Sequence, residues 1–161
     1  MSLFFWGFIM KKLILTIFLF LIGLGAYADD ISEVRSFFDS YVNAANSYSK
    51  NYFNYYVPNA KIIRVVEKKD GTTQTVVIPM PTYKKETNKG MKMGKVARYK
   101  NTYSNINITS EGEDYRLSAT RSPSPGGSFP AYFIIGKDNS GNWKIKEESM
   151  NTDVQKFLKN G

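Results

Sequence analysis

The chain contains no cysteine and no histidine. Without cysteine it forms no disulfide, carries no lipid-modified cysteine and offers no thiolate nucleophile or thiolate metal site. Without histidine it excludes Ser-His-Asp and Cys-His catalysis, histidine-ligated zinc and an imidazole general base. Acidic residues are also in short supply, with 14 Asp and Glu against 22 Lys and Arg. Glu111, Glu113 and Asp114 cluster, but "SEGED" lacks the spacing of a calcium loop and reads as a polar hairpin turn, so no metal and no cofactor is expected.

The opening segment reads as a secretory signal. Lys11 and Lys12 form its charged region, Leu13 to Gly25 its apolar region and Ala26-Tyr27-Ala28 its cleavage site, with Met10 as a candidate start. The apolar run is shorter than the ~20 residues that a bilayer-spanning helix needs. Residues 1–28 are therefore expected to be a signal peptide, and residues 29–161 a single exported domain, periplasmic or secreted. A domain of this length buries roughly two thirds of its unfolded surface without staples. Setting aside Lys11 and Lys12 leaves 20 basic against 14 acidic residues, or +6. That balance favours an anionic lipid or glycan as a partner, and export argues against nucleic acid.

Residues 31–53 give the clearest periodicity. Ile31, Val34, Phe38, Tyr41, Ala45, Tyr48 and Tyr52 recur at spacings of three and four, the pattern of one helix face, and Asp30 with Glu33 suggests a capping box. "AKIIRVVEKKDGTTQTVVIP" then reads as two strands around Asp70-Gly71, ended by Pro79 and Pro81. Two more strand pairs follow in "YSNINITSEGEDYRLSATR" and "AYFIIGKDNSGNWKIKEES", separated by the loop "SPSPGGSFP". Ser104, Ile106 and Ile108 are predicted to share a face, as are Tyr115, Leu117, Ala119 and Arg121. A short terminal helix is expected over residues 152–158.

Between the second and third strands lies "NKGMKMGKVARYK", predicted as a short basic helix. Lys89, Lys92, Lys95 and Arg98 are three apart, which on a helix spreads them over roughly half the circumference. They form a broad basic back, the candidate anionic surface. Gly90, Met93, Gly94 and Ala97 make the opposite, small face.

This order resembles the nuclear transport factor two-like superfamily, also described as cystatin-like or SnoaL-like. The resemblance rests on the opening helix "VRSFFDSYVNAANSYSKNYFNYY", the "VPNAKII" passage into the first strand and the closing "NSGNWKIKEES". It implies an α+β fold in which a long N-terminal helix packs on a strongly curved antiparallel sheet of about six strands, a cone with a pocket at its open end. Such a scaffold hosts isomerases, dehydratases, cyclases, lipid carriers and proteins without chemistry, so the fold does not assign a function.

The candidate ligand-binding residues are Phe38, Tyr41, Tyr48, Tyr52 and Arg121. The aromatics offer an apolar body with a polar tip, and an inward arginine at a strand end clamps a carboxylate or phosphate. Steroid-isomerase-like relatives use a carboxylate base, a tyrosine and a protonated acid. Asp39 and Asp114 are the nearest raw material here, yet neither sits in a matching pattern, so no catalytic residue is assigned. The expected function is a small non-catalytic binding protein that holds an apolar or amphipathic ligand or docks on an anionic envelope surface. The alternatives are an isomerase or cyclase using Tyr, Asp and Arg, and a structural module that forms a homodimer through its sheet.

Overall fold

The computed structural model describes residues 29–159. The expected signal peptide, its expected cleavage site and the candidate start Met10 lie outside the described residues. Helix α1 covers residues 29–46 and is followed by a 3-10 turn, Tyr52–Tyr55. Strands β1 (Tyr56–Glu67) and β2 (Thr73–Ile78) precede helix α2 (Met80–Ala97). Strands β3 (Lys100–Glu111), β4 (Asp114–Ser124), β5 (Phe129–Lys137) and β6 (Trp143–Thr152) complete the sheet, and a second 3-10 turn, Gln155–Lys159, ends the described chain. Among these residues no helix is long and apolar enough to cross a membrane.

The architecture is the expected α+β arrangement of a helix on a six-stranded sheet, in the order β2-β1-β6-β5-β4-β3. The sheet is mixed, not purely antiparallel, because β1 and β6 run parallel at its centre. Hairpin signals report only neighbours in sequence. The pairing of the first strand with the last joins residues 86 or more apart, such as Ile62 and Glu148, and local patterning carries no trace of it.

The β1–β2 hairpin forms where Asp70-Gly71 predicts it. Gly71 takes φ 81°, and Asp70 Oδ1 accepts from both the backbone N and the Oγ1 of Thr72. Pro79 and Pro81 do end β2, and they also open α2, whose first turn needs no donor from a proline. Helix α2 is longer than "NKGMKMGKVARYK" alone suggests, because Met80 to Thr87 continue it toward the N-terminus.

Helix α1 stops short of the periodicity that predicts it. Asn46 exchanges two hydrogen bonds of 2.8 Å with the backbone of Asn101, and Tyr48 adopts φ 56°, a left-handed conformation in which the helix cannot continue. Asp30 and Glu33 form no capping box either. Asp30 lies within the helix and accepts from Tyr115 Oη and Lys137 Nζ, while Glu33 accepts from Trp143 Nε1 at 2.9 Å. Both carboxylates anchor α1 to the strands.

The inner face of α1 buries Val34, Phe38 and Tyr41 against Leu117, Phe133, Ile135 and Ile145. Phe38 is wholly buried, with its ring 4.9 Å from that of Phe133 and 5.1 Å from that of Tyr103, in edge contacts. On β4 the predicted alternation holds, and Tyr115, Leu117, Ala119 and Arg121 all point inward. On β3 it holds only in part. A bulge between Ser104 and Asn107, with Asn105 at φ 52°, leaves Ile106 and Ile108 half-buried while Ser104 is exposed.

Phe38→Ala removes the ring that joins helix to sheet. It is expected to cost about 3–5 kcal/mol, read as a lower urea midpoint at unchanged m-value. A loss below about 1 kcal/mol would show that this contact is not central to the core.

Candidate functional site

Helix α2 lies across the sheet and leaves a cavity of about 790 Å³ between them. Each element places a side chain there. Tyr41 comes from α1, Tyr52 from the first 3-10 turn, Arg64 from β1, Tyr83 from α2, Arg121 from β4 and Met150 from β6. Gly90, Met91, Gly94 and Ala97 contribute the α2 wall, and Phe157 closes toward it from the last turn. The predicted small face of the basic helix is thus mainly a cavity wall.

Gly94 has a specific reason. Tyr48 Oη donates to the Gly94 carbonyl at 2.9 Å and contacts the Tyr99 carbonyl, and a Cβ on residue 94 would lie 3.2 Å from the Tyr48 ring. The left-handed turn that ends α1 therefore also presents Tyr48 to α2.

Of the sequence candidates, Tyr41, Tyr48, Tyr52 and Arg121 line the cavity. Phe38 sits one layer deeper, in the core. Lys89 reaches the rim, where it pairs with Glu86 at 3.2 Å. Lys92, Lys95 and Arg98 are exposed and do not line the cavity, so the four basic residues do not act as one group there.

Beneath the floor lies the feature that the sequence did not disclose. Glu148 is fully buried. Its Oε1 accepts from Arg64 Nη2 at 2.5 Å, and its Oε2 from Tyr41 Oη at 3.1 Å and from Tyr56 Oη. Tyr52 Oη joins Tyr41, Tyr56 and Tyr83 at 3.1, 2.8 and 2.9 Å. Arg64 also donates to the Ile63 carbonyl and sets its guanidinium 5.5 Å from the centre of the Tyr83 ring and 5.6 Å from that of Phe157.

Local patterning places Arg64 here and misplaces Glu148. Arg64 alternates with Ile62 and Val66, both wholly buried, so it shares their inward face. On β6, alternation from Ile145 would turn Glu147 inward and Glu148 outward. The register skips Lys146, because Ile135 faces Ile145 and Ile134 faces Glu147. That bulge inverts the phase and turns Glu148, Met150 and Thr152 inward.

The electrostatics follow from burial. It pushes the phenols of Tyr41, Tyr52 and Tyr56 well above the usual tyrosine range, with Glu148 adding to the rise and, at Tyr52, Tyr83 adding more. Tyr83 and Tyr103 are raised for the same leading reason. For Arg64 burial acts in the opposite direction, but the attraction of Glu148 and Tyr83 outweighs it and the pKa rises. The cavity floor therefore presents neutral hydroxyls. Glu148 itself does not line the cavity, since Tyr41, Tyr52, Tyr83 and Arg64 lie in front of it. Among the described residues there is also no group of three acidic, Cys or His side chains placed to hold a metal.

The arrangement of helices on a six-stranded mixed sheet is shared with a set of solved structures. An NTF2-like protein of unknown function from Pseudomonas putida aligns with a TM-score of 0.59 at 13% identity, over 78% of this chain and 89% of that one. An NTF2-like protein with a cystatin-like fold from Novosphingobium aromaticivorans aligns at 0.58 and 13%, over 84% and 89%. The fold is NTF2-like. A candidate dehydratase of the NTF2-like family from Streptomyces avermitilis shares it at 0.58 and 9% identity, over 76% and 94%. No family model and no curated protein matches the chain. At these identities the NTF2-like likeness concerns the fold alone, and function has to be argued from the cavity.

A phenol held neutral stabilises the fold fully below about pH 10, where the unfolded phenol is also neutral, and that contribution is lost as pH rises above it. In a spectrophotometric titration Tyr41, Tyr52, Tyr56 and Tyr83 are expected to ionise only together with the loss of near-UV circular dichroism. Ionisation of all tyrosines near pH 10 with the fold intact would contradict the buried network.

Proposed function

We propose that the protein is an exported, non-catalytic binding protein that lodges the apolar body of an amphipathic molecule in the cavity beneath α2. The observation that carries this reading is the cavity itself. Its volume, about 790 Å³, lies within the range of small-molecule sites, and its aromatic and methionine walls surround a few convergent polar groups. Export rests on residues 1–28 and remains part of the proposal. Lys92 and Lys95, exposed on α2, and Arg98, exposed just past its end, support contact with an anionic lipid or glycan surface where such a ligand is collected or released.

An isomerase or cyclase needs a carboxylate within reach of a substrate carbon. Glu148 is the buried carboxylate among the described residues, and it is engaged by Arg64 and tyrosine hydroxyls behind the cavity floor. The phenols in front of it are held protonated and serve as hydrogen-bond donors, not bases. Binding without turnover is the reading that uses every group in the arrangement it has.

The neutral fluorophore N-phenylnaphthylamine tests this reading. It is expected to bind the purified protein at a single site with enhanced, blue-shifted emission. Gly90→Trp should fill the mouth, since a Cβ on residue 90 meets nothing within 4 Å, and should weaken binding by about tenfold without unfolding α2. No enhancement, or unchanged affinity in Gly90→Trp, would overturn the assignment of the cavity.

A further inference from the structure

Three charged side chains are buried among the described residues, Arg64, Arg121 and Glu148. Arg64 and Glu148 neutralise one another at 2.5 Å. Arg121, only 8% exposed, is left without an anion. Its guanidinium has five N–H groups and finds three neutral acceptors: Tyr99 Oη at 3.3 Å and Asn101 Oδ1 at 3.0 Å for Nη1, and the Asn151 carbonyl at 3.4 Å for Nη2. Two of these contacts exceed the ordinary length for such bonds. The Nε–H is buried with no partner at all.

A buried cation in that condition is costly unless an anion joins it. The other acidic groups on the cavity wall do not serve. Glu86 is engaged by Lys89 at 3.2 Å and Lys156 at 2.7 Å, and Asp153 is exposed and forms no ion pair with Arg121. Arg121 also rests on an apolar surface, its Cζ 5.7 Å from the centre of the Phe129 ring. The site thus pairs one uncompensated positive charge with a predominantly apolar cavity.

We infer that the cavity selects a monoanionic amphiphile, a carboxylate on an apolar chain or ring body, with the carboxylate seated at Arg121 and the body running beneath α2. This rests on the binding function proposed above and adds the ligand's charge and the residue that reads it. The planar guanidinium matches a carboxylate through parallel N–H donors, of which Nε–H and one on Nη2 are unclaimed. One negative charge balances the site. A dianion would overshoot it, and a cation would add to the imbalance.

Isothermal titration of the purified protein at about pH 8, where decyl phosphate is a dianion, with decanoate, decanol, decylammonium and decyl phosphate separates the possibilities. Decanoate is expected to bind about tenfold to a hundredfold more tightly than decanol, the worth of a charge-assisted bond. In Arg121→Gln the acid-to-alcohol ratio is expected to collapse to about one. Arg121→Lys, which retains the charge without the planar fork, should give an intermediate ratio, with near-UV circular dichroism reporting the fold of each variant. The wild-type ratio alone already decides should neither variant fold. Equal binding of acid and alcohol would overturn the anion inference while leaving the cavity as an apolar site. Decylammonium or decyl phosphate binding as tightly as decanoate would overturn the choice of a monoanion. Binding of none of the four would overturn both this inference and the proposed function.

Discussion

Glu148 and Arg64 carry opposite charges in the buried interior, and the centre of the fold is arranged around them. They sit on β6 and β1, whose parallel pairing brings the last and first strands together within the sheet. An isolated charge there would cost several kcal/mol, so neither residue is tolerable without the other. The pair is completed by tyrosine hydroxyls from α1, the first 3-10 turn, the start of β1 and α2. One carboxylate thus collects donors from separate elements and fixes where each of them sits.

The cavity is a consequence of that arrangement. Tyr41, Tyr52 and Tyr83 join their hydroxyls in the network and also line the space under α2. Gly94 lets α2 approach the Tyr48 ring, which sets the height of the roof on that side. What results is a lined space with a neutral hydroxyl floor and a single unmatched guanidinium on its wall. These are the features on which the proposed receptacle for a polar-headed apolar molecule rests.

The sequence made much of the fold legible and little of the site. Alternation along β4 placed Arg121 inward, the Asp70-Gly71 pair marked its hairpin, and the three-and-four spacing marked α1. Those are local signals with local causes. Glu148 escaped because one skipped residue, Lys146, inverts the phase of β6, and a single-residue bulge leaves no mark in composition. The parallel β1–β6 pair escaped for the complementary reason, since it joins distant segments. The end of α1 escaped because Asn46 is held by Asn101, a partner 55 residues away. Absences were informative in a different way: without histidine or cysteine, the polar chemistry of the interior falls to tyrosine, arginine and glutamate, and these are the residues found there.

The dependence on the buried pair is measured most directly by a double-mutant cycle of Arg64→Met, Glu148→Gln and the double variant in urea unfolding. Each single change is expected to cost about 3–5 kcal/mol because it strands the other partner. The double variant should recover part of that loss, giving a coupling energy of about 2–3 kcal/mol. Single losses below about 1 kcal/mol that simply add would show that the pair behaves like a surface salt bridge, and that the floor of the cavity is held by something else.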